Sequence, residues 1–127
     1  MCFQLKKEKT EMTPYILIDE ENKYMKFEGE SYPGNVIDFY KDISEWLGRF
    51  LNSDFTSFTF DCELRYFNSS SVKVLLNMLL DMDNSKNSKS ITVNWITTKN
   101  NRIMIECGED FQEDLHNLKF NLVMKEP

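Results

Sequence analysis

The chain has few of the residues on which common catalytic and secreted scaffolds depend. It has 127 residues, with one histidine, four glycines and three cysteines that form no C-x-x-C pair. An odd number of widely spaced cysteines indicates reduced thiols and argues against a disulfide framework or a zinc site. The sequence contains neither a P-loop nor a G-x-G-x-x-G, the glycine-rich loops that cradle phosphates. We therefore predict no bound cofactor and no metal.

Basic residues and long apolar runs are also scarce. Asp and Glu outnumber Lys and Arg by 21 to 15, which gives a net charge of -6. A nucleic-acid surface or an anionic membrane would require a basic stripe, which this balance argues against. No apolar run approaches the ~20 residues that span a bilayer. The segment 1–9 places lysines after a short apolar patch, the reverse of a signal peptide. These features predict a cytoplasmic protein that contacts neither membrane nor nucleic acid.

Strand and helix patterns alternate along a chain long enough for one core. Residues 1–12 are polar and predict a flexible N-terminal tail, which leaves 13–127 as a single domain. Period-2 alternation predicts strands at Tyr15–Asp19, Lys23–Glu28, Phe58–Leu64, Ser90–Thr97 and Leu118–Met124. Helical periodicity predicts a long helix capped by Asn35, a second helix from Val72 and a short helix over Asn100–Gly108. This order favours an α/β fold, a small mixed sheet with helices packed against it.

The segment Tyr66–Ser71 is the most informative part of the chain. A strand pattern runs into it, and a helical pattern runs out of it through Val72, Leu75, Leu76 and Leu79. Three serines, Ser69, Ser70 and Ser71, therefore lie where a strand hands over to a helix. Backbone N–H groups and the positive end of the helix dipole are exposed there, and they stabilise a phosphate, free or attached to a serine. A plain helix cap is the alternative, because Asn and Ser are preferred cap residues.

Four stretches, in order, resemble the SiaC family of bacterial regulatory phosphoproteins. Leu64–Leu76 is similar to that family's L-E-Y-F-N-T-S-S-S-K-x-L-L, and Thr13–Asp19 to its opening T-P-x-(apolar)-x-(apolar)-D. Gly29–Leu47 resembles G-x-S-Y-P-E-N…F-Y…W-L, and Glu106–Phe111 resembles E-A-G-E-D-F. The likeness runs from about Thr13 to the last strand. Departures include Ser69 in place of Thr, Arg65 in place of an acidic residue and Gly34 in place of Glu.

The resemblance implies a non-catalytic signalling protein. Family members are phosphorylated by a partner kinase on the hydroxyl residue that follows Y-F-N, which is Ser69 here, and are reset by a partner phosphatase, which we expect to be of the PP2C type. The unphosphorylated form binds and activates a diguanylate cyclase, in c-di-GMP signalling that controls biofilms. We expect the partner to contact Arg65, Tyr66, Phe67, Asn68 and Lys73, with Tyr66 and Phe67 as aromatic anchors.

Other functions stay open at this stage. The element order also resembles the STAS-like fold of anti-anti-sigma factors, which place a phosphorylatable Ser or Thr at a strand-to-helix junction. A partner-switching factor of that kind is one alternative. A small hydrolase using His116 with Ser69 or Ser31 is another, although no G-x-S-x-G elbow is present. The acidic stretch Glu106–Asp114 is read as a solvated face, the usual role of such a run.

Overall fold

The computed structural model describes residues 2–127, and within this range the chain forms six strands and three α-helices around one sheet. The strands are β1 (Gln4–Lys7), β2 (Tyr15–Asp19), β3 (Tyr24–Ser31), β4 (Phe58–Phe67), β5 (Ile91–Thr98) and β6 (Lys119–Lys125). The helices are α1 (Val36–Leu51), α2 (Ser69–Asp83) and α3 (Arg102–Asp114). A short 3-10 turn, Ser88–Ser90, precedes β5. The predicted α/β fold with a mixed sheet is confirmed, and the likeness to the STAS fold stays an expectation of architecture.

The strands lie side by side in chain order from β1 to β6. The first three are joined antiparallel, and the steps from β3 to β6 are all parallel. Each parallel step is bridged by one of α1, α2 and α3. Because such crossovers are right-handed and step in one direction, the helices cover the same face of the sheet. Alternate residues of β2, β3 and β5 are buried on that face and only half-buried on the other.

The core lies between the helices and the sheet, as the apolar phases predict. From α1 it receives Tyr40, Ile43, Trp46, Leu47, Phe50 and Leu51. Cys62 is buried in β4, and burial raises the pKa of its thiol, so that it stays protonated. Within residues 2–127 no helix is long and apolar enough to cross a membrane.

Two predictions differ from the structure by more than one turn or strand end. The flexible tail predicted for residues 1–12 contains β1, which pairs with β2 in the register Leu5↔Ile18 and forms an edge of the sheet. Leu5 faces the core beside Ile18, and the Lys7 ammonium donates to the Phe39 carbonyl of α1 at 3.1 Å. The third helix also does not end at Gly108. It continues to Asp114. Gly108 lies in the middle of α3, where the helix approaches Trp95 of the sheet too closely for a side chain.

Candidate functional site

The parallel strands β3, β4, β5 and β6 all end at one margin of the sheet, which we call the carboxyl edge. Each of α1, α2 and α3 begins there after an asparagine cap. The Asn35, Asn68 and Asn101 side-chain oxygens accept hydrogen bonds from the backbone N–H three residues on, at 3.2, 3.0 and 3.3 Å. The positive ends of the helix dipoles therefore converge on this edge. The predicted strand-to-helix junction lies at its centre.

The three candidate serines differ in how exposed their side chains are. Ser69 and Ser70 are the first residues of α2, and both side chains are exposed. Ser71 is only 2% exposed, and its hydroxyl is hydrogen-bonded to that of Ser31 at 2.9 Å. A kinase requires a hydroxyl that it can reach, so Ser71 is unsuited as an acceptor in this conformation. The geometry leaves Ser69 and Ser70 as accessible candidates.

A buried chain of hydroxyls fixes the first turn of α2. Ser71 contacts Ser31, and Ser31 in turn contacts the Tyr40 hydroxyl at 2.7 Å, so that the chain joins α2, β3 and α1. Burial raises the pKa of Tyr40, and the bond with Ser31 opposes this only in part. The phenol is therefore neutral at physiological pH. The sequence suggested no role for Tyr40 and only a possible nucleophile's role for Ser31; in the structure both support the acceptor turn.

Tyr40→Phe is expected to loosen that turn, because it removes one member of the hydroxyl chain and keeps the ring. The free energy of unfolding should fall by about 1 kcal/mol, the usual contribution of a buried hydrogen bond. Native-state hydrogen exchange should quicken at residues 70–73. The control is Tyr24→Phe, which loses a 2.7 Å bond to Asp61 elsewhere on β3 and β4. Equal exchange at residues 70–73 in both variants would contradict the role given to Tyr40.

A β-bulge at Arg65 decides which aromatic residue faces solvent. Gly29 pairs with Leu64 and Glu30 with Tyr66, so that Arg65 is an extra residue in β4. The alternation of β4 changes phase at this point. Without the bulge, Tyr66 would follow Leu64 into the core, and Phe67 would point outward.

The predicted partner-binding residues are thus divided between surface and core. Tyr66 is 50% exposed, and its ring meets that of Tyr32 edge to face with centroids 5.7 Å apart. Arg65 and Lys73 are exposed, and the Arg65 guanidinium lies 3.7 Å from the Glu30 carboxylate. Phe67 is buried against Trp95, so its prediction as a surface anchor is wrong in this conformation. Asn68 is half-buried and acts as the helix cap.

The most exposed apolar residues lie at the same edge, and all of them except Tyr66 were missed by the sequence analysis. Among residues 2–127 the large apolar side chains with the greatest exposure are Met12, Ile37, Tyr66, Ile103, Val123 and Met124; we call them the edge patch. Ile37 and Ile103 are the second residues of α1 and α3, and Val123 and Met124 lie near the end of β6. The Met12 carbonyl accepts from the Tyr32 N–H just after β3. An apolar residue two positions after the caps Asn35 and Asn101, out of phase with the core, was the available signal.

The structure does not assemble the hydrolase considered above. Asp83, the last residue of α2, accepts hydrogen bonds from the His116 backbone N–H. Ser69 begins the same helix, and its fifteen residues span about 20 Å at 1.5 Å per residue. Ser31 lies beside Ser71 at the serine end. His116 is therefore far from both serines.

The acidic stretch Glu106–Asp114 lies on α3 with its carboxylates exposed. Within the described part of the chain, no three His, Cys, Asp or Glu side chains are grouped as a metal site would require. A solvated helix face accounts for this stretch.

Comparison with known proteins gives matches over nearly the whole chain. The sequence model for "SiaC family regulatory phosphoprotein" matches residues 7–125. An uncharacterized protein of Pseudomonas aeruginosa strain UCBPP-PA14 is 27% identical over 106 residues, which cover 83% of this chain and 84% of the relative.

Solved structures give the same result. SiaC of Pseudomonas aeruginosa is 25% identical and superposes with a TM-score of 0.87, covering 97% of this chain and 99% of its own. The same identity and TM-score hold for a crystal structure of the diguanylate cyclase SiaD of that organism in complex with its activator SiaC. There the match covers 95% of this chain and 99% of that chain.

Proposed function

Because this chain belongs to the SiaC family of regulatory phosphoproteins, we propose that its unphosphorylated form binds and activates a diguanylate cyclase in the cytoplasm. A protein kinase phosphorylates Ser69 and so releases the cyclase, and a PP2C-type phosphatase restores the binding form. The chain itself acts by contact and not by catalysis. The single observation that carries this proposal is an exposed Ser69 at the N-terminus of α2, on the same edge of the sheet as the edge patch.

The edge patch is the surface that we propose the cyclase covers. Monomeric proteins rarely expose several large apolar side chains together unless a partner contacts them. Tyr66 is the natural central anchor, since it buries much area with few rotatable bonds. It stands three residues before Ser69, with Ile37 and Ile103 on the helices to either side. In the related complex, SiaC is the activator of the cyclase SiaD.

Phosphate at Ser69 affects the free protein and the complex differently. It adds about -1.5 to -2 charges at pH 7. In the free protein the N-terminus of α2 stabilises such a charge by roughly 0.3–1 kcal/mol. Once covered by an apolar partner surface, the same charge must lose its water without a matching cation, which costs several kcal/mol. Modification therefore releases the partner and leaves the fold intact.

Ser69→Glu is expected to weaken binding to the cyclase at least tenfold, which corresponds to about 1.4 kcal/mol. Ser69→Ala should bind like the unmodified protein and escape regulation. The control is Ser57→Glu, which adds the same charge at an exposed site before β4, at the opposite end of that strand. Calorimetric titration against the cyclase of the same organism measures all three. Equal affinity for the Ser69→Glu and Ser57→Glu forms would refute the switch.

The modified residue is identified on protein isolated from its own cells. Peptide mass spectrometry across 64–73 should place the phosphate on Ser69, and Ser69→Ala should abolish it. Phosphate on Ser70 alone would move the acceptor by one residue. Co-purification of a sigma-regulating kinase in place of a cyclase would favour the anti-anti-sigma alternative and contradict the proposed output.

A further inference from the structure

Lys73 is the one cation of α1, α2 and α3 that has no acidic residue three or four positions away on its own helix. It is the fifth residue of α2, and its side chain is exposed. The positions three and four residues from it hold Ser69, Ser70, Leu76 and Asn77. Within residues 2–127 its ammonium forms no ion pair, whereas Arg102 of α3 pairs with Glu106 at 3.8 Å.

The start of α2 lacks negative charge in the unmodified protein. A helix N-terminus carries a partial positive charge, so acidic side chains stabilise the first turn and cations near it do not. The first turn of α2 contains no acidic residue, whereas that of α1 contains Asp38. The chain as a whole has a net charge of -6, so acidic residues are plentiful elsewhere. A negative charge added at Ser69 would therefore meet two positive ones, the helix end and Lys73.

We propose that the Lys73 ammonium holds the phosphate on Ser69 in the modified protein. Residues four apart on a helix have Cβ atoms about 5–6 Å apart, and an anion N-terminal to a lysine at this spacing is the favourable order. Helical side chains lean toward the N-terminus, so a lysine at position 73 covers the turn that contains Ser69. Hydrogen bonds between an ammonium and a phosphate are stronger than neutral ones. The inference rests on the proposed function for the modification of Ser69.

The other cation near Ser69 in the chain is already paired. The Arg65 guanidinium lies 3.7 Å from the Glu30 carboxylate of β3. Lys73 has no carboxylate to leave, so it can turn to the phosphate without breaking an ion pair. Modification would then change the partner surface in two ways. It adds negative charge at Ser69, and it withdraws the Lys73 ammonium, which we expect to contact the cyclase in the unmodified form.

The first test measures the second ionisation of the phosphate, whose pKa is ordinarily about 6. Phosphoserine is incorporated at position 69 of the full chain during synthesis, and its phosphorus NMR signal is followed against pH. A neighbouring cation favours the doubly charged form, so Lys73→Gln should raise this pKa by about 0.3, and Lys73→Arg should restore it. Lys89→Gln removes the same charge at an exposed site before β5 and should leave the pKa unchanged. Equal pKa values in the Lys73→Gln and Lys89→Gln proteins would overturn the proposal.

The second test is a double-mutant cycle on the melting temperature. Phosphate at Ser69 should raise the melting temperature of the parent, and it should raise that of Lys73→Gln by less, because the variant lacks the pair. An equal rise in the two proteins would contradict the pairing. Because the phosphoserine is incorporated during synthesis, both tests decide the role of Lys73 even where the cells leave Ser69 unmodified. That last result would refute the proposed function and not the pairing.

Discussion

Gly108→Ala is expected to lower the free energy of unfolding by about 3 kcal/mol, as overpacking of a close core contact does. A methyl group at this position would lie 2.5 and 2.8 Å from the Cδ1 and Nε1 atoms of Trp95, and 2.9 Å from Leu122. Trp95 cannot move away easily, because it is 1% exposed and its indole N–H donates to the Met104 carbonyl at 2.8 Å. Either α3 shifts outward or that hydrogen bond breaks.

Gly48→Ala is the matched control for this substitution. Gly48 also lies inside a helix, but a methyl group there would meet no atom of residues 2–127 within 4 Å. Since alanine favours helices by about 0.5–1 kcal/mol over glycine, this variant should be more stable than the parent. Urea unfolding compares the two variants, and Trp95 fluorescence reports the local change. If Gly108→Ala were as stable as Gly48→Ala, the close approach of α3 to β5 would be wrong.

The contact between Gly108 and Trp95 also explains why the predicted end of α3 was wrong. Glycine commonly follows the last turn of a helix, and the sequence alone therefore suggested an end at Gly108. Here glycine stands in mid-helix because Trp95, thirteen positions earlier, occupies the space that a side chain would need. Local propensity contains no information about that contact. By contrast, Asn35 was identified as a cap from sequence, because capping depends on neighbouring residues only.

The acceptor region shows the same division between local and non-local information. The strand-to-helix junction at Asn68 and the hydroxyl cluster could be predicted, since both follow from periodicity and cap preference. The bulge at Arg65 could not be predicted, because it depends on how β4 registers with β3. It moves Tyr66 to the surface and Phe67 into the core, so one predicted anchor is exposed and the other is not. Bulges often adjust side chains beside functional sites in this way.

Strand β1 escaped prediction because four residues give too short a pattern. Leu5 points inward and Gln4 and Lys6 point outward, but such a short alternation also occurs by chance in polar tails. Only the pairing with β2 identifies it as a strand. The sequence likewise did not predict that the carboxyl edge forms an apolar surface. Met12, Ile37, Ile103 and Met124 come from four distant parts of the chain. The antiparallel pairing of β2 with β3 brings Met12 to this margin, and parallel crossovers bring the other three. The acceptor serine and the edge patch are together only because of that topology.

The opposite margin of the sheet depends on one carboxylate. Asp83, at the end of α2, is 3% exposed and accepts backbone N–H bonds from His116 at 3.1 Å, Asn117 at 2.7 Å and Leu118 at 3.0 Å. The Asn117 side-chain amide donates in return to the Asp83 carbonyl. These bonds hold the turn between α3 and β6 against α2. Burial alone would raise the pKa of Asp83, but the backbone N–H groups outweigh it, and the pKa is lowered.

Asp83→Ala is expected to lower the free energy of unfolding by about 3 kcal/mol, because several buried N–H groups lose a charged acceptor. Asp81→Ala, at an exposed site on the same helix, should change it by less than about 0.5 kcal/mol. Asp83→Asn keeps one acceptor oxygen and should fall between the two. Urea unfolding at neutral pH measures all three variants. A loss of less than about 1 kcal/mol in Asp83→Ala would show that the turn is held by other contacts.

The pH dependence of stability separates the effect of the Asp83 charge from the effect of its shape. Since its native pKa is depressed, the carboxylate stabilises the fold above the unfolded value of about 3.9. That contribution is lost as the pH falls through the lower native pKa, where the group becomes protonated. The stability difference between the parent and Asp83→Asn should therefore be full at neutral pH and shrink progressively below about pH 4. A difference that stayed constant into that acidic range would mean that shape, and not charge, makes Asp83 important.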